Sequence, residues 1–253
     1  MNAEQTRPVE AFRPIPLRVG QGLSGRAGFW LRRAVDLQLN TVWRFLSPRF
    51  RVLQGDLLDV GCGEMPFRSM LPAGIRYTGI DVQQAVDFGM HDHDEIRMFD
   101  GRSIPFPDNR FDAVLCTEVL EHAEDPEALI AEMLRVLRPG GTMLATVPFS
   151  ARVHYAPHDY NRFTRYRLAA MFSQFSKVQI DERGDDIAVI ANKLIVLWIR
   201  LARPSRWSWL GWPAALALMP VAVVFLAIAH LSIQTRSGSA DDPLGYAIEA
   251  KKG

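Results

Sequence analysis

The stretch LLDVGCGEMPF (residues 57–67) contains residue types that suit a tight, ligand-facing turn. An apolar run ends at Asp59, and Gly61 and Gly63 then let the chain turn without a Cβ, so that a ligand can contact the backbone. The amides that begin a following helix would face the same ligand. Pro66 stands where a GxGxxG motif has its third glycine. This stretch alone therefore predicts either an ordinary strand-to-helix turn or a nucleotide site.

Two further acidic residues follow apolar runs later in the chain. Asp81 closes the run IRYTGID, about twenty residues past the glycines, where a carboxylate can accept hydrogen bonds from both hydroxyls of a ribose. A helix N-cap is the alternative role for this aspartate. Asp100 and Gly101 follow the next run, where Asp100 could accept a hydrogen bond from a purine amine, with Ile104 against the ring. The spacing favours a nucleotide-containing ligand.

A polar segment, SARVHYAPHDYNRFTRYRL (residues 150–168), brings together residues that could move a proton. It follows the fifth predicted strand and so leaves the sheet at the ligand-facing edge. His154 or His158 could act as a general base for a hydroxyl group, with Asp159 as an orienting partner. The alternative is that His158 and its neighbours only fix this loop to the domain.

Other chemically suggestive residues favour structural interpretations. The stretch HDHDE (residues 91–95) lacks any further ligand pattern, so no metal site is predicted. Glu121 and His122 are predicted to cap or brace a loop. Cys62 and Cys116 are predicted to be small packing residues, and two isolated cysteines favour a reduced cytosolic compartment.

The elements that must position these residues alternate short apolar runs with helical stretches. That alternation is typical of a parallel sheet covered on both faces. A helix is predicted at Pro126–Leu137, ended by the stop signals of LRPGG (residues 137–141). The predicted strands are Leu57–Val60, Tyr77–Asp81, Ile96–Asp100, Ala113–Cys116, Thr142–Val147 and Val178–Glu182.

Several of these pieces together resemble one enzyme family. They are DVGCG, GIDV, the Asp-Gly pair before IPFPDNRFD, LEH after the fourth strand and LRPGG before the fifth. From about Leu57 to Phe149, and more weakly to Glu182, the chain resembles the class I S-adenosylmethionine-dependent methyltransferases of the small-molecule branch called type 11. The resemblance implies an α/β fold: a Rossmann-like, seven-stranded, mostly parallel sheet with helices on both faces. The C-terminal DDPLGYAIEAKK fits its last, antiparallel strand.

The resemblance also implies S-adenosylmethionine as the cofactor and a role for each matching residue. Asp59, Gly61 and Gly63 would border its methionine part, Asp81 would hold the ribose, and Asp100 and Gly101 would face the adenine. Thr117 would lie beneath the sulfonium, with Glu118 nearby. Pro66 departs from the dinucleotide pattern, but this cofactor has no pyrophosphate to demand the closest helix approach. Two alternatives stay open, a cofactor-binding scaffold without turnover and a nicotinamide-dependent oxidoreductase.

The second half of the chain contains an apolar segment that divides the predicted core. Between Arg206 and Arg236 there is no Asp, Glu, Lys or Arg, and Trp209–Ala229 is long enough to approach the thickness of a bilayer core. A single crossing would prevent Tyr246–Ala250 from joining the sheet. We therefore expect a hairpin that dips into the membrane or lies in the interface plane, with a buried cap or dimer surface as the alternative.

Four regions follow from these assignments. They are an N-terminal arm and amphipathic helix (1–54, the helix at 29–45), a methyltransferase core (55–186), an apolar helical insertion (187–240) and a closing strand (241–253). Arginines at 200, 203 and 206 are expected to keep the core at the cytoplasmic face of the membrane. With 23% charged residues and a net charge of +1, we expect a small-molecule or lipid-like acceptor and no nucleic acid partner. The oligomeric state is left open.

Overall fold

A computed structural model describes residues 15–17, 19, 22–83, 85, 90, 95–203 and 208–253. Most of the predicted N-terminal arm, the HDHD part of residues 91–95 and Arg206 lie outside the described residues.

The described strands form one sheet in the order β3-β2-β1-β4-β5-β7-β6. Strands β1 to β5 are parallel, whereas β7 runs antiparallel to both β5 and β6. The predicted Rossmann-like sheet is therefore confirmed, including its antiparallel last strand. The strands are β1 Asp56–Val60, β2 Arg76–Val82, β3 Ile96–Phe99, β4 Phe111–Thr117, β5 Leu137–Pro148, β6 Lys177–Arg183 and β7 Gly245–Lys251.

Helices cover both faces of this sheet. Successive β1 residues contribute to opposite faces, because Leu57 belongs to one buried cluster and Leu58 to the other. The α-helices of the described regions are α1 Gly22–Val35, α2 Leu37–Phe50, α3 Pro126–Val136, α4 Arg165–Met171, α5 Asp186–Ala202 and α6 Ser208–Thr235. The result is a doubly covered sheet whose β1, β2 and β4 end at the same edge.

The prediction of one amphipathic helix over residues 29–45 is wrong, because the chain forms two helices there. Asp36 separates α1 from α2, and its carboxylate accepts a hydrogen bond from the Leu39 amide at 3.1 Å as the N-cap of α2. Because of this break, the predicted apolar face is exposed on α1 and buried on α2. Leu31 is 71% exposed on α1, whereas Val42 is buried on α2.

The predicted helix stop at LRPGG is confirmed to within one residue, whereas the predicted start of the next strand at Thr142 is wrong. Helix α3 ends at Val136 with Leu137 as its C-cap, and residues 137–141 already belong to β5. Lys252 adds donors at this helix end. Its ammonium group donates to the carbonyl groups of Leu134 and Leu137, each at 2.8 Å.

Helices α5 and α6 form a hairpin between β6 and β7. Asp185 caps α5 by accepting from the Ala188 amide, and it also accepts from the Ser232 hydroxyl of α6 at 2.6 Å. This end of the hairpin packs on the domain, so Ala202, which ends α5, and Ser208, which begins α6, lie at the far end. Among the described helices, α6 contains one segment, Gly211–Thr235, that is long and apolar enough to cross a membrane, with mean hydropathy 2.4.

Candidate active site

The glycine turn after β1 has the predicted backbone conformation, but the helix predicted to follow it is not formed, since only a short 3-10 helix, Arg68–Met70, lies between β1 and β2. Gly61 and Gly63 have positive φ angles of 68° and 50°, which favour glycine. A Cβ on Gly61 would lie 2.4 Å from a methyl group of Val119. The Gly63 amide donates to the carboxylate of Asp81 at 2.7 Å, which ties the turn to the end of β2.

Two buried carboxylates lie under and beside this turn. Asp81 is 8% exposed, and its second oxygen accepts from the Val82 amide at 2.8 Å. Asp59 accepts from the hydroxyl of Tyr77 at 2.7 Å. Burial raises the pKa of Asp81 above its ordinary value. Burial, together with the charge of Asp81 and against the hydrogen bond from Tyr77, raises the pKa of Asp59 to about 7.

Two cavities open at this edge of the sheet, and both are lined by Gly61 and Glu118. Four of the predicted cofactor residues line the first cavity: Gly61, Asp81, Asp100 and Gly101. Gly63 and Thr117 line the second. Asp59 lines neither of them, because it lies beneath the turn and is held by Tyr77. The folded chain therefore brings six of the seven predicted residues to the walls of two adjoining cavities.

Asp100 shapes the loop at the first cavity. One of its oxygens accepts from the Arg102 and Ser103 amides at 2.8 and 2.7 Å, and these bonds lower the pKa of Asp100. Ile104, for which the sequence predicts a place against a purine ring, does not line this cavity. Ile104 is 1% exposed and packs in the core, whereas Phe99 lines the cavity.

The polar loop after β5 divides the three predicted catalytic residues into two groups. His154 and Asp159 are in contact. The His154 amide donates to an Asp159 carboxylate oxygen at 3.0 Å, and the Nδ1 atom of His154 lies 3.3 Å from the same oxygen. Arg162 donates to both oxygens of Asp159 at 2.6 and 2.7 Å. Burial alone would raise the pKa of Asp159, but these hydrogen bonds lower it below its ordinary value.

His158 lines the first cavity with Tyr160, and its Nδ1 is 3.0 Å from the Tyr160 hydroxyl. Asp159 contacts His154. Which of the two histidines acts as a base stays a prediction.

Glu121 and His122 contribute more than the predicted brace. The Glu121 carbonyl does hold the loop, because it accepts from the amides of Tyr160 and Asn161 at 2.9 and 3.2 Å. Its side chain, however, is fully buried beside the rings of His122 and His154. Burial raises the pKa of Glu121 well above its ordinary value, with Glu118 adding to the effect. Burial lowers the pKa of His122, and it lowers that of His154 to about 4.

Sequence analysis missed a buried arginine that supports the cavity from behind. Arg183, at the end of β6, is 3% exposed and donates to Glu118 at 2.7 Å and to the Val147 carbonyl at 3.0 Å. Glu118 has a positive φ of 55° and lines both cavities. A basic residue that ends a strand is too common to signal such a role in advance.

The cysteines have no site chemistry of this kind. Cys62 and Cys116 are free and buried, and burial raises the pKa of both thiols. Raised thiol pKa values and burial are typical of inert packing residues.

Known proteins are similar to this chain in sequence. Residues 58–145 match the family described as a methyltransferase domain. A fatty-acid O-methyltransferase of Mycolicibacterium smegmatis is 32% identical over 167 residues, which are 59% of this chain and 60% of that protein. A tRNA U34 carboxymethyltransferase of Nautilia profundicola is 29% identical over 124 residues, which are 43% of this chain and 41% of that protein. The chain thus spans about half the length of these curated relatives.

A crystal structure of a SAM-dependent methyltransferase from Archaeoglobus fulgidus has the same fold, with a TM-score of 0.53. It is 17% identical, and the match covers 89% of this chain and 99% of that one. The sheet order, the glycine turn and the domain match over residues 58–145 agree with one another. Residues 58–145 therefore match the methyltransferase domain family, and the described sheet has the fold of a SAM-dependent methyltransferase.

Proposed function

We propose that this protein transfers a methyl group from S-adenosylmethionine to an oxygen or carbon atom of a small or lipid-like acceptor. The observation that carries the proposal is the pair of adjoining cavities at the ends of β1, β2 and β4. They are lined by the glycine turn and Asp81 on one side and by the histidine loop on the other. The sulfonium supplies an activated methyl group, and the chain's own task is to hold the acceptor in line and exclude water.

The walls of the cavities fit the two ends of this cofactor. We assign the adenosine part to the Asp81 and Asp100 side of the first cavity, where Asp81 can accept from the ribose hydroxyls and Asp100 and Gly101 border the base, and we assign the acceptor to the side formed by His158 and Tyr160. We assign the methionine part to the second cavity, along Gly63 and Thr117. The bare backbone at Gly61 joins the two, and no larger residue fits there because of Val119.

His158 is our candidate for the general base. It lines the first cavity, whereas Asp159 and His154 form the group that orients the loop behind it. In the His158→Ala variant, we expect turnover to fall on the order of a hundredfold, with cofactor affinity nearly intact. Normal turnover combined with a lower melting temperature would instead mean that His158 only braces the loop.

The acceptor class can be tested with a labelled methyl donor. Extracts are prepared from cells that contain the protein and from cells that lack it. After the purified protein and methyl-labelled S-adenosylmethionine are added, label should appear in the lipid or small-molecule fraction. The net charge of +1 supports this choice over nucleic acid. Label in RNA would favour a nucleic acid acceptor, which the match to the tRNA enzyme makes the second candidate. Calorimetric binding of the cofactor without any labelled product would support the scaffold alternative.

We further propose that the apolar insertion, residues 187–240, holds the protein at a membrane surface. Large apolar side chains are exposed along α6, among them Trp209 at 68%, Leu216 at 64% and Val223 at 59%. Helix α1 adds Leu23 at 86% and Leu31 at 71%. Surfaces this apolar are typical of membrane or protein contacts. Residues 55–186 form the walls of the first cavity, and the second is completed by residues of the N-terminal region such as Leu39 and Val42.

The hairpin geometry favours an orientation in the interface plane. Helix α5 has 17 residues, or about 25 Å of rise, and its first turns pack on the domain, so it cannot span a hydrocarbon core of about 30 Å. Arg200 and Arg203 lie near the far end of the hairpin, away from the end that packs on the core. An upright hairpin would bury them in lipid, whereas a hairpin in the plane leaves them among anionic headgroups.

Flotation with vesicles tests this placement. The full chain should float with vesicles that contain anionic lipid, and the Leu216→Asp/Val223→Asp variant should remain largely in the soluble fraction. Both residues are exposed, so the melting temperature should not change. Equal flotation of both proteins, or recovery of the wild type as a soluble dimer, would favour the buried-cap alternative.

A further inference from the structure

Two histidines and a glutamate face one another where the two cavities meet. The Nε2 atoms of His122 and His154 are 3.2 Å apart. The Glu121 Oε1 atom lies 3.6 Å from the first of these nitrogens and 3.8 Å from the second. One potential metal-ligand atom from each residue therefore lies within 4.8 Å of the other two.

The partners of the other ring nitrogens determine where the protons are. His122 Nδ1 lies 2.5 Å from the His158 carbonyl oxygen, which can only accept, so this nitrogen carries the hydrogen. His154 Nδ1 lies between the Arg152 carbonyl oxygen at 3.2 Å and an Asp159 carboxylate oxygen at 3.3 Å, so it carries a hydrogen too. Both Nε2 atoms of the neutral rings therefore present lone pairs, and these point at each other.

Glu121 adds further acceptors to the same space. Its side chain is 0% exposed, and neither carboxylate oxygen has a hydrogen-bond partner among the residues that the structure describes. Lone pairs from two imidazoles and a carboxylate thus converge without a donor between them. Buried acceptors without partners are costly, and a cation at their centre removes that cost.

We propose that Glu121, His122 and His154 bind a divalent transition-metal ion of the zinc type. Bond lengths of about 2.0–2.2 Å in a tetrahedron place ligand atoms about 3.3 Å apart, close to the 3.2 Å between the two nitrogens. The glutamate oxygen needs to move by only a few tenths of an ångström. Two histidines and one carboxylate leave a fourth position open, as in catalytic zinc sites.

The surroundings resemble the outer shell of a metal site. Asp159 faces the Nδ1 of His154, and the His158 carbonyl faces the Nδ1 of His122, which holds both rings with Nε2 toward the centre. His122 lines the first cavity and His154 the second, so an ion at this point is reachable from either. The sequence suggested no metal here, because His154 is distant in the chain from Glu121 and His122.

Metal titration of the full-length protein tests the site without any assay of methyl transfer. After removal of metals with a chelator, calorimetry with Zn²⁺ should show one tight site per chain, and Co²⁺ should give the visible absorption of tetrahedral coordination. His122→Ala, His154→Ala and Glu121→Gln should each weaken Zn²⁺ binding by about a hundredfold or more. His158→Ala, which retains the carbonyl partner of His122, should bind Zn²⁺ like the wild type.

A second control addresses the other histidine-rich stretch of the chain. The His91→Ala/His93→Ala variant should retain the tight Zn²⁺ site, since neither residue belongs to the proposed cluster. Loss of binding in that variant, with retention in His154→Ala, would overturn the proposal, as would a wild-type chain that binds no Zn²⁺. Circular dichroism and cofactor calorimetry establish that each variant is folded. If the alanine variants do not fold, Glu121→Gln keeps the shape and decides the matter: Zn²⁺ should raise the melting temperature of the wild type and not of this variant.

Discussion

The two sides of the candidate active site are built in different ways. On the cofactor side, the Gly63 amide and the Asp81 carboxylate meet at the ends of adjacent strands, 18 residues apart in the chain. On the histidine side, His122 and His154 come from two loops, 32 residues apart, and meet over the buried Glu121. The first side depends mainly on backbone amides and the second mainly on side chains. Backbone conformation therefore maintains the geometry of the cofactor side, whereas pairing of buried charged groups maintains that of the histidine side.

The largest effect is expected from breaking the ion pair that supports the histidine side. Arg162→Ala leaves the Asp159 carboxylate, which is 1% exposed, without its paired cation. Removing one partner of a buried pair costs about 3–5 kcal/mol. We expect the free energy of unfolding, measured with urea, to fall by an amount near the lower end of that range, because Arg162 is partly exposed.

Arg102→Ala is the matched control for that variant. Its pair with Glu124 is exposed, at 73% and 65% for the two side chains, so the loss should stay below about 1 kcal/mol. Equal losses in both variants would mean that charge pairing does not distinguish the histidine side from the surface.

The next effect concerns the cofactor side. Asp81→Ala should weaken S-adenosylmethionine binding by about 2–3 kcal/mol, because charge-assisted hydrogen bonds to the ribose are lost. The Gly63 and Val82 amides also lose their acceptor, so the turn itself should loosen. Calorimetry measures the affinity. Asp181→Ala, a half-exposed carboxylate on β6, serves as the control. Unchanged affinity in a folded Asp81→Ala protein would rule out the ribose assignment.

The buried Asp59 should make the stability of the cofactor side depend on pH. Its pKa is about 7 in the folded chain and near 4 when unfolded, so between these values the folded state holds the extra proton. The stabilising contribution of Asp59 should therefore be complete below about pH 4 and be lost as the pH rises to about 7, at about 1.4 kcal/mol per pH unit. Urea unfolding of the protein without cofactor should show this slope, and Asp59→Asn should flatten it. A slope that is the same in both proteins would contradict the assignment.

The smallest effect is expected from the cysteines, which are buried and have raised thiol pKa values. Cys62→Ala and Cys116→Ala should each lower the free energy of unfolding by about 1 kcal/mol and leave turnover unchanged. A large loss of turnover in a stable Cys62→Ala protein would give this thiol a role in the second cavity, whose wall it joins.

Sequence alone determined the parts of this protein that depend on neighbours in the chain. Strand periodicity, the glycine turn and the spacing to Asp81 are local properties, and they predicted the parallel sheet and five of the cavity-lining residues, whereas the family resemblance added Thr117 and the antiparallel last strand. The start of β5 was predicted less well than the end of the helix before it. Strand β5 begins at Leu137, five residues earlier than Thr142, where Lys252 donates to the carbonyl groups of Leu134 and Leu137.

The rest was decided by the tertiary structure. No spacing in the sequence indicates that Glu121 faces His154, that Asp159 contacts His154, or that Arg183 supports Glu118. Nor does it indicate that Arg200 lies at the far end of a hairpin. The physical reason is that burial and charge pairing depend on which segments pack together. A carboxylate acquires a raised pKa, and a histidine its tautomer, only after distant loops have closed around it and excluded water.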